Sequence, residues 1–218
     1  MHFVTHVLVP SSVVGEGNIK KYIGDVLAPF DEGIEVKEYE APCSCVGFEA
    51  NMAGINAGWA AVKEKWESLG GDQQQGVDWG KFVDISGDIY ESARAATLST
   101  HPMFGLPNPS CSECGGTGVI RTTYNPISKW DWWEIGGRYA NWWDTNSNAV
   151  LAKDILDLGD EYIPLAVIDL DGRWHSSNSV ETFETSKRLD DKTNWAKEAR
   201  AVYASSPDST VVVCDLHI

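Results

Sequence analysis

The chain has 218 residues and a formal net charge of -15. That charge repels phosphate backbones and argues against non-specific nucleic-acid binding. A composition 43% hydrophobic and 22% charged, with no apolar run near the ~18 residues of a membrane span, excludes both a disordered chain and a helical membrane protein. The length is enough for one large domain, or for a small one carrying a long insertion.

The opening residues read directly as a strand and carry no basic leader, so no secretory signal is expected and the cytoplasm is the expected location. Phe3, Val7 and Val9 alternate with His2, His6 and Leu8, as a half-buried strand requires. Ile19, Tyr22, Ile23, Val26 and Leu27 recur at helical spacing, and Pro29 closes that helix. A second strand is expected over 34–39. Met52, Ile55, Trp59, Val62, Trp66 and Leu69 follow a three-four spacing that predicts a helix over 49–69, with both tryptophans in its core. A polar loop at 70–76 and a helix over 79–98 follow. Further on, 163–170 reads as a strand, Asp171-Gly172 as a hairpin turn, 173–175 as the start of a return strand, 191–205 as a helix and 210–218 as a closing strand.

Strand-helix-strand at each end is the split β-α-β pattern of ferredoxin-like folds. The expected class is therefore α+β. A scaffold would form from 1–40 and 162–218, and 41–161 would be an insertion carrying the specific function. If the first and last strands pair antiparallel, His2, His6, Asp215 and His217 share the sheet face turned away from the helices. Three imidazoles with a carboxylate form a candidate metal or acid-base set; ordinary sheet-face residues near the strand ends are the alternative.

Four of the five cysteines form two tight pairs, Cys43-Ser44-Cys45 and Cys111-Ser112-Glu113-Cys114. Two such pairs offer the four thiolates of a structural zinc site, with no open position for catalysis. Disulfides or idle thiols are the rival reading. Cys214, alternating inward with Val212 and Leu216, reads as a buried thiol. The string Cys114-Gly115-Gly116-Thr117-Gly118 after Cys111 resembles a half-knuckle of the DnaJ-type zinc domain, which implies metal binding and not chaperone activity.

Five of the ten tryptophans fall in 130–143, around Ile135-Gly136-Gly137-Arg138. Trp130, Trp132, Trp133 and Trp142, with Asp131, Glu134 and Arg138, are candidate ligand- or partner-binding residues: Arg beside aromatic faces suits a nucleotide or another planar anion. An aromatic mini-core is the alternative. A strand here would send Trp132 and Trp133 to opposite sides. No Gly-rich phosphate loop and no H-E-x-x-H pattern is present.

The opening V-L-V-P, Pro29-Phe30-Asp31-Glu32, the block from Asn125-Pro126 to Arg138, Asp171 to His175 and the final Asp215-Leu216-His217-Ile218 together resemble a family of small bacteriophage-encoded proteins without assigned activity. The W-D-W-aromatic-x-I-G-G-R string is the most specific part. The resemblance implies a phage product acting in the cytoplasm of a host bacterium. Two functions are expected from these residues: a zinc-stabilised accessory binding protein engaging a host protein or nucleotide-like ligand, or a metal-assisted hydrolase of a nucleotide-like substrate using His2, His6, Asp215 and His217.

Overall fold

The computed structural model describes residues 1–15, 18–69, 79–144, 147–176 and 188–218. They form two compact units, Met1–Val36 with Tyr124–Ile218, and Lys37–Thr123. The protein is α+β, as expected, with a mixed sheet and several helices. The expected polar loop at 70–76 lies outside the described residues.

The first unit is built on two long strands, β1 (His2–Val9) and β8 (Thr210–His217), paired antiparallel from His2↔His217 to Val9↔Thr210. β6 (Ala166–Ile168) joins the other side of β1 in parallel, and β7 (Trp174–Ser176) closes that edge as a hairpin with β6. On its far side β8 pairs with β4 (Trp132–Ile135) and β5 (Ala149–Leu151), along its later and earlier halves respectively.

This arrangement departs from the ferredoxin-like expectation in three ways. Residues 34–38 form no strand, and Tyr39 begins β2 (Tyr39–Pro42), which pairs outside this sheet with β3 (Val119–Thr122). The tryptophan block supplies a strand of the main sheet, whereas the sequence reading placed it in the insertion. Finally, the two sheet faces are both covered. Helix α2 (Ile19–Leu27), which follows the short α1 (Ser11–Gly15), packs Ile23 and Leu27 against Phe3, Val7, Val9, Val212, Cys214 and Leu216. The last helix, Arg188–Ser205, packs Trp195, Ala199 and Tyr203 against Val4, Leu8, Val167, Val211 and Val213 on the opposite face.

The physical signal for this was present. Between His2 and His6 stands Val4, then Leu8, and opposite them Val211 and Val213: apolar residues on both faces make a near-continuous hydrophobic run, the mark of a strand buried on both sides. Cys214 is fully buried, as its alternation predicts.

In the second unit α3 (Phe48–Ser68) packs along a later helix (Gly87–Thr100). The buried stripe of α3 is Ala50, Gly54, Gly58 and Val62; of the expected residues only Val62 lies on it, while Trp59 is 47% and Met52 41% exposed and Trp66 is half-buried against Trp79 and Phe82. Small residues win because the helices approach closely. A Cβ on Gly58 would sit 2.6 Å from the Tyr90 ring. The single helix expected over 79–98 is two, Trp79–Ile85 and Gly87–Thr100, broken where the Ser86 hydroxyl donates to the Phe82 carbonyl at 2.7 Å and Gly87 follows.

Candidate metal centre and histidine-carboxylate cluster

In the Lys37–Thr123 unit all four sulfurs of Cys43, Cys45, Cys111 and Cys114 lie within 4.8 Å of one another, the only such group of three or more metal-ligating side chains among the described residues. Local structure explains the convergence. Pro42 pairs with Val119 at the end of the β2–β3 ladder, and the Cys43 N-H donates to the Gly118 carbonyl at 2.8 Å, so the two cysteine loops leave the ladder side by side. The Cys111–Cys114 turn is closed by the Gly115 N-H on the Cys111 carbonyl and the Thr117 N-H on the Cys114 carbonyl. Gly116 and Gly118 have φ of +85° and +77°, and a Cβ on Gly116 would meet the Pro109 carbonyl oxygen at 2.9 Å, so the glycines serve a tight turn. That turn aims the Gly118 N-H at Cys114 Sγ, 3.3 Å away.

The cysteines are free thiols. The Cys43–Cys111 and Cys45–Cys114 sulfurs stand 3.7 and 3.5 Å apart. A disulfide requires about 2.05 Å. Four thiolates about 2.3 Å from a central ion are about 3.8 Å apart along each tetrahedral edge, which matches. Burial raises the Cys114 thiol, but the N-H groups of Gly118 and Gly116 and the neighbouring thiols outweigh it and bring it down to about 6. Burial pushes its neighbour Cys45 up to about 12.

The four residues His2, His6, Asp215 and His217 do not form one site. His6 is wholly buried on the face covered by the last helix. Its Nδ1 is 2.8 Å from the Tyr203 hydroxyl, its ring is 4.6 Å from Trp143, and burial lowers its pKa to about 3. It is a neutral core residue, not a ligand or base. The other three sit at the far end of the ladder. His2 Nδ1 meets Asp215 Oδ1 at 2.9 Å, and Asp215 is 1% exposed. His217 pairs instead with Asp131, Nδ1 to Oδ1 at 2.8 Å. That partnership was invisible in sequence, because it depends on β4 lying beside β8.

The tryptophan block divides between core and surface. Trp130 is buried and donates its indole N-H to the Leu27 carbonyl at 3.0 Å. Trp133 packs towards α2, and Trp132 points the other way, 44% exposed, as alternation predicts. Gly136 and Gly137, with φ of +75° and +52°, then take the chain off the sheet edge and over the face, where Trp142 and Trp143 join the core around Tyr203. Trp142 donates to the Tyr162 carbonyl at 3.2 Å. A Cβ on Gly137 would lie 2.5 Å from the Asp215 Cβ, so only glycine lets the Arg138 backbone N-H reach Asp215 Oδ2, 3.0 Å away. Thus the motif reads the buried carboxylate through its backbone. The side chains of Glu134 and Arg138 are exposed, and Arg138 lines a shallow depression of about 330 Å³ with Tyr139, Asn141 and Trp142.

The hairpin after β6 holds one pair that the sequence reading missed. His175 Nε2 meets Asp169 Oδ2 at 2.8 Å; burial raises the Asp169 carboxyl, but hydrogen bonds from His175, Arg173 and Asp171 outweigh it and hold it below its ordinary range. No helix among the described residues is long and apolar enough to cross a membrane. The chain matches no protein-family model, no curated protein and no solved structure.

Proposed function

We propose that this is a zinc-stabilised binding protein, a phage accessory protein that engages a host protein in the bacterial cytoplasm. The observation that carries the reading is the four-sulfur cluster: a shell filled by four thiolates leaves no coordination position for substrate, so its ion fastens structure. Tetrahedral four-thiolate spacing suits zinc or iron, and the two tight pairs joined by short turns favour zinc. Support for binding comes from large apolar side chains left on the surface, Phe48, Met52 and Trp59 along α3 and Trp132 on β4.

A protein partner suits these surfaces better than a nucleotide. Beside Trp132 stand the carboxylates of Asp131, Glu134 and Asp215, which repel phosphate. A partner presenting an apolar patch ringed by Lys or Arg complements them.

Metal analysis of purified protein tests the core of this proposal. About one zinc per chain is expected, lost in Cys111→Ser and Cys114→Ser. Protein that folds with the same stability and no metal overturns the structural role. For the binding role, Trp132→Ala and Trp59→Ala should abolish association with a host protein at unchanged zinc content. Variants that bind as well as wild type would refute it.

A further inference from the structure

At the end of the β1–β8 ladder two imidazoles stand next to each other with one nitrogen each already engaged. His2 and His217 are direct cross-strand partners, and their ring centroids are 4.9 Å apart. The Nδ1 of each faces a carboxylate, Asp215 at 2.9 Å and Asp131 at 2.8 Å. A carboxylate only accepts, so in the neutral ring the proton sits on Nδ1 and the lone pair on Nε2. Neither Nε2 has a protein partner among the described residues. Histidines that ligate metal donate their other ring N-H to a carboxylate in this way.

We propose that His2 and His217 together bind one late first-row divalent cation, such as Ni²⁺ or Zn²⁺, through their Nε2 atoms, with Asp215 and Asp131 as positioning residues and water completing the shell. A metal-nitrogen bond of about 2.0–2.1 Å puts each ring centroid about 3.2 Å from the ion, so two rings at 90–110° have centroids about 4.5–5.2 Å apart. The observed separation falls inside that span. The electrostatics also favour a cation: Asp215 and Asp131 face the two rings directly, and Glu134 stands across the ladder from Asp215. Trp132, edge-on to His2 at 5.9 Å, covers one side and leaves the other to solvent. Asp215 is itself fixed by the Arg138 N-H, so the Ile-Gly-Gly-Arg turn preorganises a ligand it does not touch. The site goes beyond the binding role proposed above and uses none of the thiols.

Untagged, zinc-loaded protein titrated with Ni²⁺ in a calorimeter tests this. Saturable uptake of about one ion per chain is expected, abolished by His2→Gln and by His217→Gln. Asp131→Ala, at an exposed position, should weaken it by about 10- to 100-fold with near-ultraviolet circular dichroism and zinc content unchanged. Absence of saturable Ni²⁺ binding in the wild type overturns the proposal. So does binding that survives the double histidine variant, or binding that Cys111→Ser removes, which would assign the ion to the thiols. Protein with an intact histidine site and no zinc on its cysteines would sink the zinc-stabilised reading and leave this one standing.

Discussion

His6 makes the stability of the sheet unit depend on pH in a calculable way. The side chain is fully buried against Tyr203 and Trp143, and desolvation lowers its pKa from 6.5 to about 3. The unfolded chain therefore takes up a proton below 6.5 that the folded chain refuses until about 3. Stability is complete above 6.5 and is lost as pH falls through the window between those two values. Each unit of difference corresponds to about 1.4 kcal/mol, so at about pH 5 the loss is about 2 kcal/mol. His6→Gln keeps a hydrogen-bond partner for the Tyr203 hydroxyl and removes the titration. Guanidinium unfolding followed by tryptophan fluorescence, at about pH 7.5 and about pH 5, measures both proteins. The variant should be less stable than wild type at the higher pH and should lose about 2 kcal/mol less on acidification. Taking the difference cancels the thiols, the other histidines and Asp169, whose lowered pKa removes stability only in more acidic solution. Equal losses in the two proteins would show that His6 titrates normally and that its burial is wrong.

Other perturbations separate backbone and packing effects. Gly58→Ala would gain up to about 1 kcal/mol from helix propensity alone, but its Cβ would sit 2.6 Å from the Tyr90 ring, so a net destabilisation of about 1–3 kcal/mol is expected in urea unfolding. Trp59→Ala, on the exposed stripe of the same helix, should change stability by less than about 1 kcal/mol. Gly137→Ala combines a φ of +52° with a clash on Asp215 and should cost clearly more than Gly172→Ala, where φ is +75° and nothing lies within 4 Å; equal thermal shifts would refute the close approach. Chelator should expose new protease sites within 37–69 and 79–123 while leaving cleavage within 18–36, 124–144, 147–176 and 188–218 unchanged, as mass spectrometry of the fragments would report.

What the sequence made legible was local chemistry, and what it concealed was register. The cysteine pairs could be read because spacing alone brings two sulfurs together, and the turn glycines announce a tight loop. The helices at 19–27 and 188–205 announced themselves through apolar spacing, nearly to their ends. Alternation correctly separated Trp132 from Trp133. It failed on α3, where the large residues traced a stripe but the glycines at 54 and 58 decided which stripe was buried. Side-chain size is a poor guide where two helices approach within contact of their backbones.

The tryptophan block shows why such errors matter for function. Read as one recognition surface, it offers a row of rings and an arginine for a planar anion. Folded, its rings serve different masters: Trp130 and Trp143 are buried, Trp133 and Trp142 line opposite sheet faces, and Trp132 remains in solvent beside His2. The chemical logic of the segment lies in its glycines, which bring a backbone N-H onto Asp215 and so hold His2 through it. A block that seemed built to grip a ligand with its arginine side chain instead presents its arginine's main chain to a carboxylate. Of the block's rings, only Trp132 is left on the surface in position to meet a partner, beside the imidazole pair that the glycine turn helps to hold.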